Sequence, residues 1–333
     1  MTSWRRVGRI VLGGLTLLFA FTALYVAAFH APRAKGIDVG VVGTAAQATE
    51  LQGALDAGQR GAFDVRRYDD EAQARSGLLH TDVKGVLVPG PPRARILVAQ
   101  ALGLTPTETV TTALRGAAMP PATVHDLRPL PSSDRRGLSS LFAVIGTLIP
   151  SLVFGVLLSV FGRALPARVR WCAVVAYASL AGIVLAFNVD VLVGAFDGDF
   201  AGIAVVGGLL ALAVSAAAHG LGHLGGERGI VLAILALMLL GVSSAGGAVT
   251  YQFEPGFYGS ISQLLPPGAA LTAVRNVEYF DWAATLAPLL VLGAWAFGGL
   301  LVGLLGERYG PHVRRSAMPV SASRMMRSAT SAE

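Results

Sequence analysis

The sequence predicts a polytopic α-helical membrane protein, with six transmembrane helices and a small external α/β domain inserted between the first and second. Three observations predict this fold class. The 333 residues are 53% hydrophobic and only 14% charged, whereas soluble domains carry about 25% charged residues. Six apolar stretches are each long enough to cross a bilayer, which takes about 20 helical residues. A polar segment with alternating strand and helix patterns separates the first stretch from the second.

The apolar stretches define the predicted spans. They cover residues 10–29, 138–162, 171–195, 200–224, 229–250 and 284–306. The first follows Trp4, Arg5 and Arg6 and has the appearance of a signal peptide. Its apolar run is longer than the roughly 7–15 residues of a signal core, however, and no clean Ala-x-Ala cleavage site follows. We therefore expect residues 1–29 to be a cytoplasmic N-terminus and an uncleaved first helix.

Basic residues orient the predicted spans. With the N-terminus inside, the short cytoplasmic segments hold 12 arginines, and the short outer segments 196–199 and 251–283 hold only Arg275. By the positive-inside rule, we expect a multi-pass protein of the cell membrane with both termini in the cytoplasm and residues 30–137 external. The net charge of +6 then reflects orientation in a lipid bilayer, and no nucleic-acid partner is expected.

The polar segment 30–137 predicts one soluble α/β domain. Strand patterns occupy residues 36–43, 63–68, 83–90, 94–100 and 122–130, and helix patterns occupy 44–58, 69–80 and 105–117. Strands that alternate with helices indicate a small layered domain with a mixed sheet. Such a domain could bind a ligand at the carboxyl ends of its strands. The alternative is a rigid structural domain, which the absence of an aromatic cluster or convergent charges favours.

The remaining chain divides into two parts. Residues 138–306 form the predicted five-helix transmembrane domain, with an external broken-helix segment at 251–283. Residues 307–333 form a basic tail with the composition of a disordered cytoplasmic segment.

Several motifs fail to indicate an enzyme, a metal site or a cofactor. The glycine motif GLGHLGG at 220–226 lacks the preceding strand that a dinucleotide site requires. His219 and His223 share a helix face, but no third metal ligand is obvious beyond Glu227. The single cysteine, Cys172, excludes an internal disulfide. No phosphate-binding loop occurs. We therefore expect no enzyme, no metal and no cofactor.

Two features inside the predicted spans suggest function. Asn188 and Asp190 lie in the third span, where a carboxylate is by default a candidate functional site, such as a proton or cation site. The alternative is that Asp190 reaches water at the membrane surface. Gly299 and Gly303 in the last span have the small-xxx-small spacing that lets two helix backbones approach closely. They are the predicted dimer face.

Three stretches carry a resemblance to a known family. They are DLRPLPSSDRRGLSSLF (126–142), GVSSAGGAVT (241–250) and LLPPGAALTAVRNVEYF (264–280). Together with the order of one span, an external α/β insert and five spans, they resemble the type-2 ABC-transporter permeases. The resemblance is greatest to the phage-infection-protein (Pip/YhgE-like) branch of bacterial membrane proteins. It covers residues 30–310.

The resemblance implies a permease-like protein that exports a substrate or assists envelope secretion. It also implies a homodimer and a separate ATP-binding subunit, since the chain has no ATPase of its own. The docking residues would be Arg163, Arg168 and Arg170. This loop, RALPARVR, departs from the family because it lacks a carboxylate. The departure leaves two alternatives: a non-transporting envelope protein whose external domain binds a partner, and a proton-coupled carrier that uses Asp190.

The stretch LLPPGAALTAVRNVEYF corresponds to the element that lines the outer mouth in the family, which makes Pro266, Pro267, Arg275 and Glu278 the candidate outer gate. The two prolines start a helix, and Leu271, Val274 and Val277 give it an apolar stripe. Arg275 and Glu278 are three residues apart, at pairing distance on a helix. The alternative is an interfacial helix that only caps the bundle.

Overall fold

The computed structural model describes residues 2–29, 34–118, 122–196, 198–247, 253 and 256–309. The described chain is mostly helical and contains one small sheet. Four helical segments are long and apolar enough to cross a membrane: Ser139–Ala164, Ala167–Leu192, Phe200–Gly225 and Leu286–Tyr309. They coincide with the second, third, fourth and sixth predicted spans, so these four are confirmed as long apolar helices.

The other two predicted spans are less complete. Helix α1 runs over Thr2–Phe29, but its apolar part is the shorter stretch Val11–Ala27. The fifth predicted span begins as α8 (Glu227–Ala233), continues as a π-helical stretch (Ile234–Leu240) and ends as the short α9 (Gly241–Ser243). Its last residues, 248–250, lie outside the described residues, as does the predicted tail from residue 310 onward.

Helix α7 (Phe200–Gly225) is the central element of the helical bundle. Around it pack α5 (Ser139–Phe161), α6 (Ala167–Ala186, extended by the π-helical stretch Phe187–Leu192) and α12 (Leu286–Tyr309). Small residues allow the close approach: a Cβ atom on Gly155 of α5 would lie 2.5 Å from the Ser215 carbonyl oxygen of α7. The outer faces of α5, α6 and α12 expose large apolar side chains such as Phe142, Leu180 and Phe297, which suits contact with lipid.

The small sheet is built from residues between α1 and α5, and with its flanking helices we call it the α/β unit. Its elements are β1 (Ile37–Val42), α2 (Ala45–Gly58), β2 (Phe63–Tyr68), α3 (Glu71–Leu79), β3 (Gly85–Val88), β4 (Arg95–Val98), α4 (Leu104–Ala117) and β5 (Thr123–Asp126). The strand order is β2-β1-β3-β4-β5. Strand β1 is parallel to both neighbours, β3 and β4 are antiparallel, and β4 is parallel to β5. The predicted mixed sheet is therefore present.

Local signals set the starts of the first two helices in this unit. Thr44 caps α2 by accepting a hydrogen bond from the Gln47 backbone N–H, and the Gln47 side chain accepts from the Thr44 backbone N–H in return. Asp70 caps α3 by accepting from the Gln73 backbone N–H. These caps satisfy backbone donors that the first helical turn leaves free.

The α/β unit rests on one end of the bundle, which we call the sheet end; the opposite end is the far end. Two phenylalanines from late in the chain join the unit's hydrophobic cores. Phe253, 3% exposed, packs in the cluster of Ile37 and Leu114. Phe280, 2% exposed, packs in the cluster of Leu78 and Leu97. Residues from late in the chain therefore complete the cores of the α/β unit at the sheet end.

Candidate functional site

Helix α11 (Pro266–Tyr279) lies at the sheet end, preceded by the short helix α10 (Gly256–Ser262). Pro266 and Pro267 occupy its first turn, where a missing N–H breaks no helical hydrogen bond. The helix packs against α5, α7 and α12, and against the 3₁₀ turn Gln100–Leu102 of the α/β unit. The predicted helix start is confirmed, and α11 is enclosed by protein on several sides.

The predicted apolar stripe of α11 is confirmed as a buried face. Leu271, Val274 and Val277 are between 1% and 4% exposed and belong to the main core of the bundle. Burial of three such side chains stabilises this position of α11 by several kcal/mol in total, at roughly 1.5–3 kcal/mol each. The helix is therefore an integral part of the bundle.

The predicted ion pair within α11 is wrong. Among the described residues, Arg275 and Glu278 do not pair. Arg275 Nη2 donates instead to the Gly247 carbonyl oxygen at 3.0 Å, and the Glu278 carboxylate lies beside Gly198. Residues three apart on a helix differ by about 60° in direction, and here the two side chains follow different neighbours.

Arg275 points to a cavity of about 300 Å³ between the α/β unit and the bundle, which we call the junction cavity. Its walls come from both parts of the molecule. From the α/β unit they include Asp38, Arg66, Thr81, Asp82, Lys84, Ala101 and Leu102, and from the rest of the chain Ala245, Gly246, Gln263, Leu271, Thr272, Arg275, Asn276 and Phe280. Sequence patterns do not indicate this cavity, because its charged residues come from distant segments.

The cations of the junction cavity lie in a partly desolvated environment. Burial lowers the pKa of Lys84 to about 8, Asp38 opposes this shift, and Arg275 reinforces it. Burial also lowers the pKa of Arg275, although a guanidinium stays protonated at neutral pH. Lys84 Nζ donates to the Thr81 carbonyl oxygen at 3.3 Å, while Asp38 pairs with Arg66 at 2.8 Å. Lys84 and Arg275 thus both contribute positive charge to the cavity, and Asp38 and Asp82 act on Lys84 in the opposite sense.

The turn between α11 and α12 makes polar contacts with both the α/β unit and the helical bundle. Arg128 of the α/β unit pairs with Asp281 at 2.5 Å, and Trp282 Nε1 donates to Asp199 Oδ2 at 2.9 Å. Asp199 also caps α7, and hydrogen bonds from the Gly202 backbone and from Trp282 lower its pKa. Asp281, Trp282 and Ala284 all have positive φ angles, a conformation that costs non-glycine residues about 1 kcal/mol or more each.

Asn188 and Asp190 occupy the π-helical end of α6 but face different surroundings. Asn188 lines a groove of about 550 Å³ between α5 and α6, and Asp190 is not among its lining residues. The groove is largely apolar, with Ser139, Thr147 and Tyr177 as further polar members. Tyr177 stacks on Phe154 with ring centroids 4.1 Å apart. The two residues that the sequence grouped as one polar site are therefore separated by the turn of the helix.

The three predicted docking arginines differ in their exposure to solvent. Arg163 and Arg168 are exposed at the far end, but Arg170 is only 2% exposed. Its guanidinium donates to the Glu307 carboxylate of α12 and, at 2.6 Å, to the Leu165 carbonyl oxygen. Arg170 thus belongs to the interior, which corrects the prediction of an exposed docking residue.

Two histidines of α7 extend this interior cluster at the far end. His223 Nε2 lies 3.2 Å from Glu307 Oε1, and His219, fully buried, stacks on His223 and meets Trp171 edge-on. Within the described residues no group of three or more metal-ligating side chains occurs. The signal that could have identified the cluster is the presence of Arg170, the histidines and Glu307 within or beside apolar runs.

The predicted dimer face is an internal helix contact. A Cβ atom on Gly299 would overlap the backbone of Ala216 and Ala217, and one on Gly303 would overlap the Trp171 ring. Gly299 and Gly303 therefore let α12 pack closely on α7 and α6 within one chain. The spacing correctly indicated close helix packing, but the partner helix is the chain's own.

Comparisons with known protein families, with curated proteins and with solved structures found no match. The assignment of a function therefore rests on the residues and geometry described above.

Proposed function

We propose that the chain is a permease-like integral membrane protein of the type-2 ABC exporter class, with no ATPase of its own, that moves a substrate outward or assists envelope secretion. In this proposal α1 and the segment 229–250 complete six spans in the cell membrane. Both termini are cytoplasmic, and the sheet end is external. Four long apolar helices and the arginine distribution support this arrangement, as does the sequence resemblance.

The observation that carries the proposal is the position of α11. Ten of the 14 residues of this helix are buried, and it lies under the α/β unit, between α5, α7 and α12. It is too short to cross a bilayer, and it covers the bundle at the end where substrate would leave. Its following turn is tied to the α/β unit through Arg128 and Asp281. Movement of α11 with this turn would open and close the outer mouth, with Pro266, Pro267, Arg275 and Glu278 as the gate residues.

The proposed partners are a second copy of the chain and a separate ATP-binding subunit. Since Gly299 and Gly303 are used inside the chain, the dimer would form through another face. The ATP-binding subunit would dock on Arg163 and Arg168, the exposed members of the predicted docking set.

A second candidate is a non-transporting envelope protein whose α/β unit binds a partner. One observation favours it. Because Arg170 pairs with Glu307 in the interior, the short connection between α5 and α6 offers only two arginines, and no carboxylate, for contact with an ATP-binding subunit. A proton-coupled carrier based on Asp190 is the third possibility, since this side chain lies in the π-helical end of an apolar helix.

The test is ATP hydrolysis in complexes purified from native membranes after mild cross-linking. If the permease proposal holds, an ATP-binding protein co-purifies, and the double variant Arg163→Gln/Arg168→Gln loses most of the hydrolysis. The matched control is Arg135→Gln/Arg136→Gln, which removes two exposed arginines at the sheet end and should leave hydrolysis unchanged. Absence of any ATP-binding protein from preparations of the intact, folded chain would overturn the permease proposal in favour of the second or third candidate.

A further inference from the structure

We propose that the junction cavity is a binding site for the oxyanion group, carboxylate or phosphate, of a small molecule. This inference goes beyond the proposed function and does not depend on it, because it concerns equilibrium binding and not transport. The site would take the oxyanion between Lys84 of the α/β unit and Arg275 of α11, with Asn276 as a further donor.

The first observation is that two cations in the cavity lack an anionic partner. Among the described residues, neither Lys84 nor Arg275 has a carboxylate within ion-pairing distance. Each donates to one backbone carbonyl oxygen, that of Thr81 for Lys84 and that of Gly247 for Arg275. A partly buried charge without a counter-charge is costly. A bound anion would compensate both cations at once.

The second observation is an unused donor on the same wall. Asn276 is 4% exposed, and its amide nitrogen Nδ2 has no hydrogen-bond partner. Buried side-chain donors in folded proteins are nearly always satisfied, so an unpaired one beside a polar cavity indicates a ligand that supplies an acceptor. An oxyanion has several acceptor lone pairs, and it can accept from an amide, an ammonium and a guanidinium together.

The carboxylates of the cavity restrict the ligand further. Asp38 pairs with Arg66 at 2.8 Å, which offsets part of its repulsion of an anion. Asp82 is exposed and would be the partner of an ammonium or hydroxyl group on the same ligand. The volume of about 300 Å³ is at the lower limit for small-molecule sites. A small zwitterionic or hydroxylated acid, or a lipid headgroup, fits these limits, whereas a folded partner does not.

The test uses the two lysines of the chain as target and internal reference. Lys35 and Lys84 are the only lysines, and Lys35 is exposed. The purified full-length protein in detergent is treated briefly with an amine-acylating reagent, in inorganic phosphate or in chloride at equal ionic strength. Peptide mass spectrometry then gives the ratio of acylation at Lys84 to that at Lys35. We expect phosphate to lower this ratio severalfold. An unchanged ratio in phosphate, and also in the lipid arm below, overturns the proposal.

Variants show whether the protection comes from the cavity. Arg275→Gln should abolish the protection of Lys84, whereas Arg60→Gln, at an exposed surface position, should preserve it. Equal protection in both variants would overturn the proposal. Thermal unfolding establishes that each variant is folded. If Arg275→Gln does not fold, Asn276→Ser takes its place with the expectation of weaker protection.

A final arm distinguishes the source of the oxyanion. The protein is reconstituted without inorganic phosphate in vesicles of phosphatidylcholine alone and of phosphatidylcholine with phosphatidylglycerol, and both are compared with the protein in phosphate-free detergent. Protection by inorganic phosphate in detergent assigns the site to a soluble ligand, and protection only in vesicles of either composition assigns it to a lipid headgroup. Protection by neither overturns the inference. Because no ATP is involved, the result is independent of whether an ATP-binding subunit exists.

Discussion

Arg170 at the start of α6 and Glu307 near the end of α12 form an ion pair inside the far end of the bundle. The two residues are 137 positions apart in the chain. His223 of α7 approaches the same carboxylate at 3.2 Å, so a single carboxylate connects three helices. Arg170 is almost fully buried, whereas the Glu307 side chain is 29% exposed, which makes the arginine the partner that depends on the pair.

This relationship predicts a specific loss of stability. Glu307→Gln leaves Arg170 as a buried charge without a counter-charge, and we expect it to lower the free energy of unfolding by about 2 kcal/mol. Thermal unfolding in detergent measures the change. Glu227→Gln, an exposed carboxylate at the start of α8, is the control and should change little. The double variant Arg170→Met/Glu307→Leu should be more stable than Glu307→Leu alone; equal stability would show that the pair is not coupled.

The packing of α12 on α7 predicts which glycines of α12 are essential. Leucine at Gly299 would overlap the α7 backbone, so we expect Gly299→Leu to lose most of its folded protein. A Cβ atom on Gly293 of the same helix would have nothing within 4 Å, and Gly293→Leu should fold normally. Size-exclusion chromatography in detergent reports the folded fraction and the oligomeric state. A well-folded Gly299→Leu protein with altered self-association would contradict the internal packing.

The turn before α12 predicts two substitutions of opposite effect. Ala284 has a φ angle of +52°, so Ala284→Gly should raise the free energy of unfolding, by up to about 1 kcal/mol. The neighbouring Ala283 does not have a positive φ, and Ala283→Gly should lower stability by about 0.5–1 kcal/mol. Thermal unfolding of the two variants in parallel is the measurement. A destabilised Ala284→Gly protein would show that the turn's contacts outweigh its backbone strain.

The lowered pKa of Lys84 predicts how the free energy of unfolding changes with pH. Its pKa is about 8 in the folded protein against an ordinary 10.5, so between these values the unfolded chain binds more protons. Stability from this group therefore rises as the pH increases from about 8 to 10.5, and the full penalty applies below pH 8. Accordingly, Lys84→Met should raise the melting temperature more at pH 7 than at pH 10. Lys35→Met, at an exposed position, should show no such difference, and a gain that is equal at both pH values would exclude a depressed pKa for Lys84.

The proposed orientation can be tested with single cysteines in a Cys172→Ser background. Gln59 is an exposed residue of the α/β unit and Ala167 lies at the far end. A membrane-impermeant maleimide should label Gln59→Cys in intact cells and Ala167→Cys only after permeabilisation. Labelling of position 167 from outside would reject the six-span arrangement.

Much of the local structure could be predicted because its signals are local. The pair Thr44 and Gln47 defines the start of α2, and Pro266 with Pro267 defines the start of α11. The apolar periodicity of α11 identified its buried face. Such patterns show which residues share a face of a helix, but they do not show what that face contacts.

The incorrect predictions depended on distant partners. Arg275 has a carboxylate nearby in sequence, yet it donates to the carbonyl oxygen of Gly247, 28 residues away. The spacing of Gly299 and Gly303 fits a contact between copies as well as a contact with α7. In the same way, the sequence around Arg170 is that of an exposed loop, and only the fold brings Glu307 beside this residue.

Two phenylalanines that lie late in the chain complete the hydrophobic cores of the earlier α/β unit. The ribosome completes all five strands of the unit before it reaches α5, but Phe253 and Phe280 are made only after most of the apolar helices. Until then both cores are open at the positions that these side chains fill. We therefore expect the cores of the unit to be completed only after the segments that follow it have been made. A defect in the insertion of the late helices should then leave apolar residues of the earlier α/β unit exposed.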